Sequence, residues 1–278
     1  MTTSMATYKV RQTFRYEYTE PIRDLHHRLI VIPPAQFGDQ RRMYHDLLVE
    51  LEDVRVSSRK DRFGNHVVEV FASHVDSAIE FVAEVTVERR ASEPNVLRGG
   101  WPAAAYLEPT RLTEADQRIA AEAAVLAQNA EWGLPLADRI NDWVYGSMTY
   151  RHGVTGVRTT AAEALELGAG VCQDFAHVML AMCRACKLPA RYVSGHMVGQ
   201  GGTHAWVEVV LPDERGPRSG DAVAHAFDPT HAARPGLGYV SIAAGRDYAD
   251  VAPTSGTYRA GGPGKLTTSK QVTLTGAE

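Results

Sequence analysis

The feature that most constrains this chain is a change of hydrophobic period near residue 100. Before it, apolar residues recur every second position. In TYKVRQTFRYEYTEP (7–21), Tyr8, Val10, Gln12, Phe14, Tyr16 and Tyr18 share one face, the pattern of a half-buried strand. DLLVELEDV (46–54), HVVEVFASH (66–74) and IEFVAEVTVERR (79–90) read as further strands, and DRFGN (61–65) as a turn between two of them. Such a run predicts a β-sandwich-like module.

After SEPNVLRGGWP (92–102) the period becomes helical. Thr113 and Asp116 resemble a capping box ahead of an alanine-rich helix. LADRINDWVYG places Leu136, Ile140, Trp143 and Val144 on one helical face. TAAEALELG starts on a Thr160/Glu163 capping box and stops at Gly168. A longer helix is expected from Cys172 to about Lys187, with Phe175, Val178, Met179, Met182, Cys183 and Cys186 on its buried face. Strands return in ARYVSGHMV, THAWVEVVL, VAHAFDPT and GYVSI, and LTTSKQVTLTG (266–276) alternates again. The fold class expected is α+β: a β-rich unit over residues 1–105 and a second unit over 106–278, in which a helix packs on an antiparallel sheet.

Charge and targeting signals narrow the function. Lys plus Arg number 29 and Asp plus Glu 33, with no long basic run, which argues against nucleic acid as the main partner. The N-terminus lacks the apolar core of a secretory signal, and no stretch approaches the roughly 18–20 apolar residues of a membrane span. The expectation is a cytoplasmic protein with reduced thiols and no membrane partner; the sequence leaves the oligomeric state open. Three cysteines, Cys172, Cys183 and Cys186, form no disulfide framework. Cys183 and Cys186 spell CRAC, formally a redox or half-zinc motif. They lie late in a helix on its apolar face with no second pair, so they are expected in the core, without metal.

Cys172 is different. It follows Gly170 and opens the helix, where free N–H groups and partial positive charge favour a thiolate and can hold an oxyanion. Asp174 in the same first turn opposes that effect. Taken alone, Cys172 reads equally well as a small buried residue. A nucleophilic cysteine needs a base. His204, in GGTHAWVEVVLP, opens a strand whose Ala205, Val207, Val209 and Leu211 form the core face, with His204, Trp206 and Glu208 opposite. Alone, it could be a structural histidine. Asp228, in HAFDPTH, ends an apolar strand before Pro229, where a turn aspartate is common. Together the three run Cys, His, Asp at separations of 32 and 24 residues, in the order helix start, strand start, strand end. That is the layout of a papain-like thiol site.

With these residues in view, the chain resembles the bacterial transglutaminase-like family. The matching stretches are TYRHGVTGVRTTAAEALELGAGVCQDFAHVML, LPARYVSGH, THAWVEVVLP, FDPTH and GRDYADVAPTSGTY. TFRYEYTEPI, LIVIPP and DRFGN resemble the β-rich region that accompanies the family's core. The resemblance implies Cys172 as nucleophile, His204 as base and Asp228 as orienting acid. It also implies thiol-dependent acyl transfer on amide or peptide bonds through a thioester, with a peptide, protein or small amide as substrate and no cofactor or metal. An amine acceptor would make the chain a transglutaminase-like acyltransferase, and water would make it a peptidase or amidase. A non-catalytic protein-binding module is the reading of another class, and an intact triad argues against it. The chain departs from the family in DERGPRSGDAVAHAF (213–227), longer than usual and without tryptophan, and in CRAC. His177, His196 and the cluster Arg246, Asp247, Tyr248 and Asp250 are neighbours of undecided role, and Tyr150 and Trp206 are candidate oxyanion donors.

Overall fold

Alternation over the first ninety residues produces two stacked sheets. The computed structural model describes residues 5–91, 94–99, 101–199, 202–213, 220–259 and 261–277. Its first half contains β1 (Met5–Glu17), β2 (Ile22–Ile32), β3 (Gln36–Phe37), β4 (Gln40–Glu50), β5 (Val54–Lys60), β6 (His66–Val75) and β7 (Ala78–Arg90). Then come β8 (Asn95–Leu97), α1 (Ala103–Leu107), α2 (Gln117–Gln128), α3 (Leu134–Ser147), β9 (Thr149–Tyr150), α4 (Ala161–Leu167), β10 (Ala169–Gly170) and α5 (Cys172–Ala185). The chain continues through β11 (Ala190–Met197), β12 (His204–Pro212), β13 (Ala222–Phe227), β14 (Tyr239–Gly245), α6 (Tyr248–Val251), β15 (Thr254–Arg259) and β16 (Lys265–Ala277).

The sandwich pairs a sheet of order β16-β1-β7-β4-β3 with one of order β15-β2-β6-β5. Phe14 and Phe81 from the first interleave with Leu25, Leu29, Val68 and Val70 from the second. The face predicted for β1 is the buried one: Tyr8, Val10, Gln12, Phe14 and Tyr18 are inside, with Tyr16 half-buried. The second unit is an antiparallel sheet of order β14-β11-β12-β13-β8 backed by α5. Ala205, Val207 and Val209 of β12 pack with Phe175, Val178, Met179 and Met182 of α5 in the main core. Asp116 alone caps α2, accepting the Ile119 N–H at 2.8 Å. Thr113 is not part of that cap; its hydroxyl accepts instead from Thr110 N and from Arg184.

The helix α5 is buried on every side, not on one face as its apolar spacing predicts. Its polar residues each meet a partner from elsewhere in the chain. Arg184 donates to the carbonyls of Tyr106, Ala190 and Arg246. His177 Nε2 accepts from the Tyr248 N–H at 3.2 Å. Burial, with Arg184 adding to it, lowers the His177 pKa to about 3, so the ring is neutral. Cys183 is fully buried, as expected. Cys186, the residue that caps the end of α5, is only half-buried, its Sγ 3.3 Å from the Ala123 carbonyl.

A cut near residue 105 does not describe how the sheets divide the chain. β8 precedes that point yet pairs with β13 of the second sheet, and β15 and β16 lie far beyond it yet pair with β2 and β1. The units also lock side chain to backbone. The outer edge of β14 is met by two buried amides: Gln40 exchanges hydrogen bonds with Ser241 (2.7 and 2.9 Å), and Asn65 with Ala244 (2.7 and 2.9 Å). Each amide supplies one donor and one acceptor, as a neighbouring strand would. Asn65 belongs to the DRFGN turn, whose Asp61 carboxylate accepts from Phe63 N, Asn65 N and Asn65 Nδ2. Behind β12, Glu208 forms a buried ion pair with Arg191 (2.6 Å) and accepts from Asn95 (2.9 Å), which fills the face opposite the core.

Candidate active site

Cys172 is the first residue of α5, and its position follows from local chemistry. Gly168 takes φ 63°, ending α4 in the left-handed conformation that glycine adopts readily. At Gly170 a Cβ would stand 2.5 Å from Asp174 Oδ2, so only glycine lets this turn close. At the N-terminus of α5, Asp174 Oδ2 accepts from the Val171 N–H and from Thr155 Oγ1, each at 2.7 Å. Asp174 is buried, and that burial raises its pKa against the pull of Thr155 and the two N–H groups. Cys172 itself is half-buried and opens into a cavity.

His204 opens β12 across the sheet from Gly195 of β11. Gly195 is required by crowding: a Cβ there would fall 2.1 Å from the Val240 carbonyl and 2.6 Å from the Trp206 ring. The His204 Nε2 atom donates to Asp228 Oδ2 at 2.7 Å, which leaves Nδ1 as the nitrogen available to Cys172. Burial works to lower the His204 pKa, but hydrogen bonding and attraction from Asp228 and Cys172 outweigh it and raise it to about 9. The ring therefore carries a proton at neutral pH.

Asp228 directly follows β13 and is completely buried. Four donors converge on it. His204, His231 Nδ1 (2.8 Å) and the Tyr239 hydroxyl (2.8 Å) share Oδ2, and the Thr230 N–H reaches Oδ1 at 2.9 Å. Burial alone would raise its pKa; these donors, His204 foremost, bring it down to about 2. Among the described residues, His204, Asp228 and His231 are the one group that gathers potential metal-ligand atoms, within 4.8 Å of one another. Both imidazoles already use those nitrogens on the carboxylate, so the arrangement suits proton holding.

The three expected residues are thus brought together, with the His204–Asp228 leg at hydrogen-bond distance and Cys172 in the same cavity as His204. Tyr150 lines that cavity. Trp206 does not: it is buried against Tyr239, ring centres 5.5 Å apart. Of the GRDYADV cluster, Tyr248 lines the cavity, Arg246 and Asp250 pair with each other at 2.8 Å, and Asp247 caps α6. His196 stays within the sheet, its pKa lowered to about 4 by burial and then by the charge of Lys270. Residues 214–219 of the long segment before Asp228 lie outside the described residues.

The cavity of about 320 Å³ also contains residues that the sequence did not mark. Phe14 comes from β1, and Leu266, Thr268 and Lys270 from β16, so the sandwich supplies one wall. A second cavity of about 850 Å³ also borders His204 and is lined by Tyr145, Met148, Thr230 and His231. The two share Tyr150, His152, Thr203 and His204. His231, three residues after Asp228 in FDPTH, was within reach of sequence reasoning as a turn partner; Tyr239 and the β16 residues carry no local signal.

Known proteins resemble this chain in both of its regions and in its fold. Residues 120–216 match the transglutaminase-like superfamily, and residues 8–88 match the bacterial transglutaminase-like N-terminal region. An uncharacterized Mycobacterium leprae protein is 31% identical over 207 residues, covering 67% of this chain and 70% of its own. An uncharacterized Mycobacterium tuberculosis protein is 27% identical over 282 aligned positions, covering 90% and 86%. The fold is shared with a provisionally assigned cysteine protease from Cytophaga hutchinsonii, at TM-score 0.79 and 22% identity over 99% of this chain and 92% of that one.

Proposed function

Because the chain belongs to the transglutaminase-like superfamily and carries the accompanying bacterial N-terminal region, we propose that it transfers acyl groups from amides through a thioester on Cys172. One observation carries this reading. A single imidazole is bound through Nε2 to a buried, ionised carboxylate, while its ring shares a cavity with the cysteine that opens α5.

In this mechanism the Cys172 thiolate attacks the amide carbonyl carbon. A C–S bond forms as the carbonyl π pair moves onto oxygen, where N–H groups of the first helical turn face it. Tyr150, on the cavity wall, is the second candidate donor to that oxygen. The oxyanion collapses, the C–N bond breaks, and the His204 imidazolium gives its proton to the departing nitrogen. A thioester, a neutral imidazole and ammonia or an amine result. The acceptor then attacks the thioester carbon, loses a proton to His204, and the C–S pair returns to sulfur as thiolate. Asp228 holds the ring in the tautomer and direction both steps need.

An amine is the acceptor favoured here, because a second cavity of about 850 Å³ also borders His204 and offers room for an acceptor larger than water. Water in the same place gives deamidation or peptide hydrolysis. The test is incubation with a glutamine-peptide library, with and without a primary amine, and identification of products by mass. Amine-bearing product made by wild-type protein and not by Cys172→Ala supports the proposal. Deamidated or cleaved product alone selects the hydrolytic alternative. Turnover by Cys172→Ala refutes the covalent route.

A further inference from the structure

One charged group in the Cys172 cavity has no part in acyl transfer as described. Lys270 sits half-buried on β16, in register opposite Gln12 of β1. The period of the strand sends Leu266, Thr268 and Lys270 to the cavity side. The Nζ atom lies 3.4 Å from Thr203 Oγ1 and 5.6 Å from the centre of the Phe14 ring. Among the described residues no carboxylate pairs with it. The acids nearest the thiol are engaged elsewhere, Asp174 with Thr155 and Val171, and Asp228 with its four donors.

A half-desolvated ammonium without a counter-ion opposes folding, and such a group is relieved by an anion that enters beside it. Burial lowers the Lys270 pKa, and the charge of Cys172 works in the opposite direction, which places the two groups within electrostatic reach. The rest of this wall, Phe14, Leu266 and Thr268, is uncharged. On this wall an incoming molecule therefore meets a single cation, Lys270, on an otherwise uncharged surface.

We propose that Lys270 is the anion anchor of the acyl-donor subsite, and that the donor carries a carboxylate close to the amide it presents to Cys172. The proposal rests on the acyl-transfer reading for the identity of the ligand. The carboxylate comes either from an acidic side chain beside the reacting residue or from the donor's own α-carboxyl.

The test measures alkylation of Cys172 by iodoacetate and by iodoacetamide, followed by mass spectrometry of the labelled peptides. The two reagents are near-isosteric and differ in charge. In Lys270→Met the iodoacetate-to-iodoacetamide rate ratio should fall about three- to tenfold, the effect of one partly screened charge. In Lys270→Arg it should be kept, and in wild-type protein added salt should shrink it. A ratio unchanged in Lys270→Met overturns the proposal. So does an equal slowing of both reagents, which would make Lys270 a partner of the thiolate and not of the ligand. Lys270→Gln replaces the methionine variant if the latter does not fold. Failure of the acyl-transfer reading looks different: Cys172 would then react no faster than Cys183 and Cys186 with either reagent. A second arm compares glutamine peptides that are neutral, flanked by glutamate, or free at the α-carboxyl. Lower KM for a charged peptide, lost in Lys270→Met with kcat retained, supports the anchor and identifies the source of the carboxylate; equal KM for all three overturns it.

Discussion

Replacing Asp228 by asparagine removes a charge without removing shape, and the structure sets the size of the result. All four groups on the carboxylate are donors. Asparagine offers one acceptor oxygen and one NH₂, so in either orientation the NH₂ faces at least one donor. An orphaned buried donor costs about 1–3 kcal/mol. The charge contributes separately. A pKa brought from 3.8 to about 2 at Asp228 corresponds to about 2–3 kcal/mol of folded-state stabilisation. The same ion pair seen from His204, raised from 6.5 to about 9, gives about 3 kcal/mol. These are two views of one interaction and are not summed; the Asp228 figure is preferred, because Cys172 contributes to the His204 value. The total expected loss is about 3–6 kcal/mol. Its pH dependence has a definite sign. The raised His204 pKa contributes fully below 6.5 and is lost as pH rises through about 9, and the lowered Asp228 pKa contributes above 3.8 and is lost as pH falls through about 2. The charge contribution is therefore complete near pH 5.5, leaving about 1–3 kcal/mol of orphaned-donor cost near pH 10. Urea unfolding of both proteins at several pH values between these limits measures it. A difference under about 1 kcal/mol at pH 5.5, or one that does not change with pH, would refute the assignment of a buried ion pair.

Three further outcomes are expected. Cys172→Ala and His204→Ala should each abolish turnover, and the double variant should cost little more than either, because the two act as one unit; additive losses in kcat/KM would show independent roles. Asp174→Asn removes a negative charge in the same helical turn as the thiol while keeping an acceptor for the Val171 N–H, so the acidic limb of the kcat/KM profile should move to lower pH; a limb that stays in place argues against that electrostatic effect. Gly195→Ala forces a methyl group onto the Val240 carbonyl and the Trp206 ring and should destabilise by about 2–3 kcal/mol, read from the urea midpoint; a neutral result would mean β11 and β14 can separate locally.

The residues of the candidate thiol site were legible because each is marked by its immediate neighbours. Gly170 precedes Cys172, a glycine turn precedes His204, and Pro229 follows Asp228. Each mark is a local backbone event, and local events survive in sequence. What the sequence did not show are the partners made at long range. The apolar spacing of α5 describes one face, yet His177 and Arg184 bury the other by bonding to Tyr248 and Arg246, more than sixty residues on. Alternation in LTTSKQVTLTG revealed a strand, but nothing in it names β1 as its partner, where Val272 sits opposite Val10. Thr113 was misread for a related reason: a hydroxyl ahead of a helix is a capping signal, and here tertiary donors claimed it.

The pairing of β1 with β16 also has a consequence in time. A ribosome releases β1 first, and its neighbour on that edge follows only after the whole helix-backed sheet has been made. Cys172, His204 and Asp228 are likewise translated before Leu266, Thr268 and Lys270, the last of these 98 residues after the cysteine. All three candidate site residues are thus translated before the β16 wall of their cavity. Closing so long a loop is slow. During biosynthesis the final strand is therefore what closes the Cys172 cavity on that side.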